Sequence, residues 1–237
     1  MARWKCHQPA NIWIRWMHIP DGFLNLPVIT GTYAVTVTSF GIMRRKIKDQ
    51  FGEQSIPKLS LLAAFLFVAQ MINIPVSTGT SAHLVGATLA LLLAGPFAAV
   101  FVMALVLTVQ MLIFQDGGLS AWGANVLNLA IVPIFISYGS LYLLGKMVGT
   151  RIRITPVSQT IIFFTTWISL QISAFMCSLE LALSALAPLE NILSLMLLIH
   201  AVAGLLEGLL TVMIYQAIRA ARPDVLYYRP LQLMSQL

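Results

Sequence analysis

Charge is scarce in this chain. Asp, Glu, Lys and Arg make up 9% of its 237 residues, and none of them occurs between Leu59 and Gln115. A soluble domain must cover its surface with such groups, so a soluble fold is excluded. Cysteine is scarce too: Cys6 and Cys177 are the only two, which leaves no disulfide framework and no thiolate metal motif. There is no G-x-x-x-x-G-K-[ST] phosphate loop and no H-E-x-x-H pair. ATP hydrolysis on such a loop and zinc proteolysis on such a helix are therefore not built into the chain. Residues 1–16 also lack the long apolar core of a signal peptide.

What is present is oil. Hydrophobic residues account for 59% of the chain, and the mean hydropathy is +0.87. Further uncharged runs extend from Gly117 to Gly145 and from Ile154 to Leu179. These runs are apolar on every face, whereas a membrane barrel strand alternates, so they read as transmembrane helices. The expected fold is an all-α polytopic membrane bundle of about seven spans. They run near Val28–Met43, Leu59–Asn73, Ser81–Ala94, Phe97–Gln115, Trp122–Lys146, Val157–Leu186 and Ile192–Ile218. Gly95-Pro96, Asp116-Gly117-Gly118 and Ala187-Pro188 supply turn signals between them.

The net charge of +6 marks topology rather than nucleic acid. Arg44, Arg45, Lys46, Lys48 and Lys58 follow the first span; Lys146, Arg151 and Arg153 follow the fifth; Arg219, Arg222 and Arg229 follow the seventh. Those loops share one side, the cytoplasmic one, which puts the N-terminus outside the cytoplasmic membrane and the C-terminus inside. Residues 1–16 are an N-terminal extension, 17–222 one transmembrane domain, and 223–237 a cytoplasmic tail. Arg3, Lys5 and Arg15 stand on the outer side against the usual bias. That oddity favours a true start at Met17 or removal of the extension.

Polar, uncharged-to-acidic side chains gather at the outer mouth. His83 is the one ionisable side chain of its long uncharged run, and such groups within a membrane default to function because burying them unpaired is costly. A span of Ser81–Ala94 is too short to cross, so the preceding loop dips into the membrane and lines a cavity. Ser81 is the expected helix N-cap, which would put His83 in the first turn and keep its imidazole neutral. The bland alternative is a histidine hydrogen-bonded within the core.

Residues 17–24 read MHIPDGFL. If Met17 is the first residue, its free amine, the amide nitrogen of His18 and the His18 imidazole can wrap one metal ion in fused chelate rings. The His83 imidazole then completes a four-nitrogen square. Such a set suits Ni(II) or Cu(II), with Co(II) allowed if the geometry relaxes. Pro20 and the Asp21-Gly22 turn stiffen the segment, and the Asp21 carboxylate is positioned to orient an imidazole.

MHIPDGFL, QMINIPVSTGTSAHLVG and FQDGGLSAWGANVLNLA, in this order, resemble the substrate-capture subunits of cobalt and nickel energy-coupling-factor transporters, the CbiM/NikM family. The resemblance covers most of the chain from Met17 onward. It implies a seven-helix subunit that holds Ni2+ or Co2+ as transported substrate through the matches to Met17, His18 and His83. It also implies a transmembrane coupling subunit, cytoplasmic ATPase subunits and a small auxiliary membrane subunit as partners. The Pro-Asp-Gly form of the first motif is closer to nickel members.

Other residues carry weaker expectations. Asp116 and Asn125 fall in the QDGG and GAN motifs and either cap a glycine-rich turn or support the metal site. Gly86, Ala90 and Ala94 form a small-residue stripe, open to two uses: docking the coupling subunit or packing internally. His200 and Glu207 share one face of the last span and are expected to pair with each other. Glu180 and Glu190 bracket the last outer loop, where solvation explains them. The rivals to metal capture are a self-sufficient secondary carrier and an intramembrane enzyme.

Overall fold

The computed structural model describes residues 18–50, 55–77, 80–149 and 155–227. Among these residues eight α-helices run in chain order: α1 Leu26–Gln50, α2 Ile56–Met71, α3 Ala87–Ala94, α4 Pro96–Phe114, α5 Trp122–Val126, α6 Val132–Val148, α7 Thr155–Leu183 and α8 Leu189–Ala221. A π-helical turn, Leu127–Ile131, joins α5 to α6, so the two make one continuous crossing from Trp122 to Val148. Among the described residues seven helical segments result, the number the sequence leads one to expect, though not all of them are long enough to cross a membrane.

The π turn has a local cause. Pro133 stands two residues beyond its end; in an unbroken α-helix its ring would strike the carbonyl four residues back, that of Leu129 within the turn. Widening the helix by one residue relieves that clash. The reversal between α3 and α4 depends on Gly95, whose φ of +79° ends one helix and begins the next, with Pro96 at the first position of α4.

Among the described residues five helices are long and apolar enough to span a membrane: Leu26–Lys48, Pro96–Phe114, Trp122–Val148, Pro156–Leu183 and Leu189–Ala221. Their outward faces, with that of the shorter α2, carry Ile42, Leu61, Leu112, Met147 and Leu198 in the open, which in lipid is the favourable arrangement. Thr36, Gln70, Thr88, Gln110, Ser137 and Thr165 are buried instead. The bundle is apolar outside, and within it these polar groups are set into an apolar core that includes Leu66, Leu91, Met103 and Ile134.

The third span differs from its expected form. It does not begin at Ser81; α3 starts at Ala87 behind an N-cap at Gly86, and its eight residues reach only about 12 Å. The segment before it folds as a two-stranded antiparallel hairpin, β1 Asn73–Ser77 and β2 Thr80–His83, pairing Asn73 with His83 and Pro75 with Ser81. Backbone groups of this segment are thus satisfied by strand pairing. This hairpin is the one departure from an all-α chain among the described residues.

Every residue of α3 is buried. Lipid gives helices no hydrophobic reason to associate, so close packing must hold α3, and its alanines permit it. Ala90 and Ala94 are 0% and 5% exposed, and a side chain at Gly86 would lie 2.5 Å from Leu66. The Gly86, Ala90, Ala94 stripe therefore packs inside the subunit and is not a docking face. Thr88 and Ser137 hydrogen-bond at 2.8 Å across the same interior. At the far end the Tyr227 N–H donates to the Leu92 carbonyl at 3.0 Å, and the Tyr227 ring covers Gly95.

Candidate metal centre

The described chain opens with a short segment, residues 18–24, laid against the loop that precedes α5. Asn125 grips Ile19 by both peptide groups: the Ile19 N–H donates to Asn125 Oδ1 at 2.9 Å, and Asn125 Nδ2 donates to the Ile19 carbonyl at 3.0 Å. The Gly118 N–H donates to the same carbonyl at 2.9 Å. Two glycines make this closeness possible. A side chain at Gly118 would sit 2.3 Å from the Asp21 nitrogen, and Gly117, at φ +101°, lies under the His18 side chain. Ile19 and Leu24 are buried with Ala121 and Ala124 in a small apolar cluster beside Cys177 and Leu181, each worth about 1.5–3 kcal/mol if buried from water.

Asp21 does not face an imidazole. Its carboxylate accepts from the Leu119 N–H at 3.1 Å, the Ser120 N–H at 2.6 Å and the Ser120 hydroxyl at 2.5 Å. Partial burial alone would raise its pKa, but those hydrogen bonds outweigh burial and hold it below 3.8. Asp21 is a clasp between segment and loop, and the expectation that it orients an imidazole is corrected.

The carboxylate beside the imidazole is that of Asp116. His18 is 5% exposed; its Nδ1 lies 3.3 Å from Asp116 Oδ2 and 3.4 Å from the Asp116 carbonyl. Its Nε2 is buried without a hydrogen-bond partner. A ring that turns one nitrogen to a carboxylate and leaves the other bare has the form of a metal-binding histidine.

His83 closes the other side. It ends β2, its Nδ1 is 3.2 Å from the Leu84 carbonyl, and its ring centroid lies 5.3 Å from that of His18 at an interplanar angle of 77°. Burial and the neighbouring His18 ring push its pKa down to about 4, so it offers a neutral lone pair at ordinary pH. Neutrality was expected from a helix N-terminus; burial is the larger cause, because α3 begins four residues later. Ser81 lies in β2 and is not a helix cap.

Behind His83 the backbone is held by Glu207, singled out in the sequence for another role, and by Gln70, which is not singled out there. Glu207 accepts the N–H groups of Val85 and Gly86, both at 2.9 Å, and Gln70 Nε2 donates to the Val85 carbonyl at 2.9 Å. Glu207 does not pair with His200, whose Nδ1 lies 2.7 Å from the Met196 carbonyl. Glu180, expected to be solvated, is 5% exposed and accepts from Asn128 Nδ2 at 2.6 Å. Glu207 and Glu180 carried a signal, a charge within a span; Gln70 and Asn128 carried none.

Met17 lies outside the described residues. Among those described, no three His, Cys, Asp or Glu side chains converge on a metal position.

Residues 18–225 match the family described as the cobalt uptake substrate-specific transmembrane region, CbiM. A protein of Archaeoglobus fulgidus named for fused nickel transport, NikMN, is 37% identical over 212 residues, which are 89% of this chain and 68% of that protein. The cobalt transport protein CbiM of Ruminiclostridium cellulolyticum is 27% identical over 85% of this chain and 82% of its own length. A crystal structure of a transition metal transporter superposes with a TM-score of 0.76 at 28% identity, covering 86% of this chain and 93% of that one.

Proposed function

The chain belongs to the CbiM family of cobalt-uptake transmembrane proteins, and on that premise we propose that it is the metal-capture subunit of an energy-coupling-factor importer for Ni2+ or Co2+. The observation that carries the reading is the meeting of His18 and His83, 5.3 Å apart between ring centroids, with a bare, buried Nε2 on His18. The relatives' names speak of nickel and cobalt transport, and the helices long and apolar enough to cross a membrane support a multi-pass protein. The subunit is not itself an enzyme.

The ligands are His18, His83 and, with Met17 as first residue, its amine and the His18 amide nitrogen. A fused chelate through the His18 amide closes on Nδ1, the nitrogen now turned toward Asp116. Half a turn of the ring about Cβ–Cγ exchanges the two edges and brings it into place. Alternatively the ring binds as it stands, through Nε2, with Asp116 fixing the tautomer. Four nitrogen donors near one plane favour Ni(II) or Cu(II) over hard, oxygen-seeking ions.

Capture proceeds from the outer face of the cytoplasmic membrane. The N-terminus lies outside and the tail of residues 223–237 lies in the cytoplasm, following the basic loops. Release requires partners: a transmembrane coupling subunit, ATPase subunits and a small auxiliary membrane subunit. Ni2+ titration of purified protein tests the site, with binding lost in His18→Ala and in His83→Ala. Unchanged affinity in both removes it. Uptake into vesicles with and without the ATPase subunits separates this reading from a self-sufficient carrier, and N-terminal sequencing of membrane-extracted protein decides the status of Met17.

A further inference from the structure

Val85 stands two residues beyond His83, and both of its peptide groups end on buried side chains. Its N–H donates to Glu207 Oε2 and its carbonyl accepts from Gln70 Nε2, each at 2.9 Å. The next N–H, of Gly86, donates to the second Glu207 oxygen at 2.9 Å. Gln70 comes from α2 and Glu207 from α8; they are 1% and 4% exposed. Two helices far apart in the chain thus close on one residue's backbone, with only Leu84 between it and His83.

Capping α3 does not require this arrangement. A serine or asparagine at the N-cap would satisfy an N-terminal N–H without placing a carboxylate in the interior of a membrane protein, where an ionisable group is costly and is kept for function. A carboxylate accepting two charge-assisted bonds at once fixes direction as well as satisfying donors. The segment has no slack to take up: Gly86 holds φ +76°, and any side chain there would meet Leu66. Metal ligands must be held to within about half an ångström of their productive positions.

We infer that Gln70 and Glu207 are positioning residues for metal capture: together they immobilise the backbone at Val85 and thereby set where the His83 ring meets His18. The inference rests on the metal-capture reading. Neither side chain touches the ion; each acts through the backbone that carries a ligand. Because Glu207 lies on α8 and Tyr227, just beyond α8, bonds to Leu92, both ends of α3 are tied to α8 and its extension. Motion of α8 is therefore passed to His83.

The test uses the full chain purified in detergent, titrated with Ni2+ and followed by calorimetry and by the visible ligand-field bands. Glu207→Ala and Gln70→Ala should each weaken Ni2+ binding about 10- to 100-fold and shift the bands, because His83 no longer sits where it did. Glu207→Gln keeps one acceptor and should fall between parent and Glu207→Ala. It also serves if Glu207→Ala does not fold. Trp167→Phe, which removes a 3.1 Å bond to the Ala201 carbonyl of α8, is the control for general loosening and should leave the spectrum unchanged. Ni2+ binding within about twofold of the parent, with unchanged bands in Gln70→Ala and Glu207→Gln, overturns the inference and leaves the capture site standing, since supporting groups of a real metal site carry far larger effects. A parent chain that binds no Ni2+ at all overturns the capture reading and this inference with it.

Discussion

The carboxylate of Asp116 lies 3.3 Å from Nδ1 of His18, and both side chains are almost wholly buried. A carboxylate in that position makes the imidazole a stronger ligand and fixes which nitrogen keeps its proton. Exchanging the carboxylate for an amide preserves volume but removes the charge. Asp116→Asn should weaken Ni2+ binding by about 10- to 100-fold while the protein stays folded. Calorimetric titration beside a melting curve checks this. Equal affinity in parent and variant would show that the carboxylate only caps the glycine-rich turn.

Asn125 supports the same ligand through the backbone. In Asn125→Leu, of similar size, the Ile19 N–H and one bond to the Ile19 carbonyl lose their partner, and each unmet buried group costs about 1–3 kcal/mol. The segment of residues 18–24 should then open while the bundle remains intact. Amide exchange would show it: protection falls at Ile19 and holds along α4 and α6. If exchange at Ile19 does not change, the Gly118 bond alone is enough.

Gly118 and Gly139 form a matched pair for a steric test. A Cβ at Gly118 would meet the Asp21 nitrogen at 2.3 Å, closer than real contacts allow, whereas nothing lies within 4 Å of one at Gly139. Gly118→Ala should displace the N-terminal segment and reduce metal binding at least about tenfold, the order of loss produced by a misplaced supporting group. Gly139→Ala, within α6, should be neutral or slightly stabilising, since alanine is the better helix former. Titration of both variants in parallel reads the contrast. Similar behaviour would mean that the loop yields more easily than its hydrogen bonds suggest.

The membrane bundle was legible because hydropathy and glycine-proline punctuation are local signals. The runs flanked by Gly95-Pro96 and Asp116-Gly117-Gly118 became helices within a few residues of their expected ends. His83 stood out because an ionisable group is rare in such a run, and His18 because it follows Met17 in the MHIPDGFL motif. The start of α3 was not legible: Ser81 looks like a cap, but pairing β1 with β2 satisfies more backbone groups than one hydroxyl can, and the helix waits for Gly86. The uses of Asp21 and Asp116 were not legible for a similar reason: Asp21 was expected to orient an imidazole, and Asp116 either to cap the glycine-rich turn or to support the site. Both sit beside glycine turns, and only the folded path of the loop decides which carboxylate reaches the imidazole. Gln70 gives no signal at all, since a glutamine on an apolar helix looks the same whether it faces lipid, water or a distant peptide.

Asp21 supplies a dependence on pH whose sign follows from its hydrogen bonds. Its carboxyl is held below 3.8 in the folded chain, so the docked state binds a proton less readily than the released one. The clasp therefore contributes fully above the ordinary carboxylate value and is lost as pH falls through the lowered folded value. Asp21→Asn removes the charge at every pH. At neutral pH the parent segment should be better protected from amide exchange at Leu119 and Ser120 than the variant. That advantage should shrink steadily as the solution is acidified below the ordinary carboxylate value of 3.8, until the two behave alike, because protonated Asp21 is then no better an acceptor than the amide. Exchange at quenched time points across an acid series measures the gap. A gap that stays constant with pH would mean that the clasp works by shape alone, without its charge.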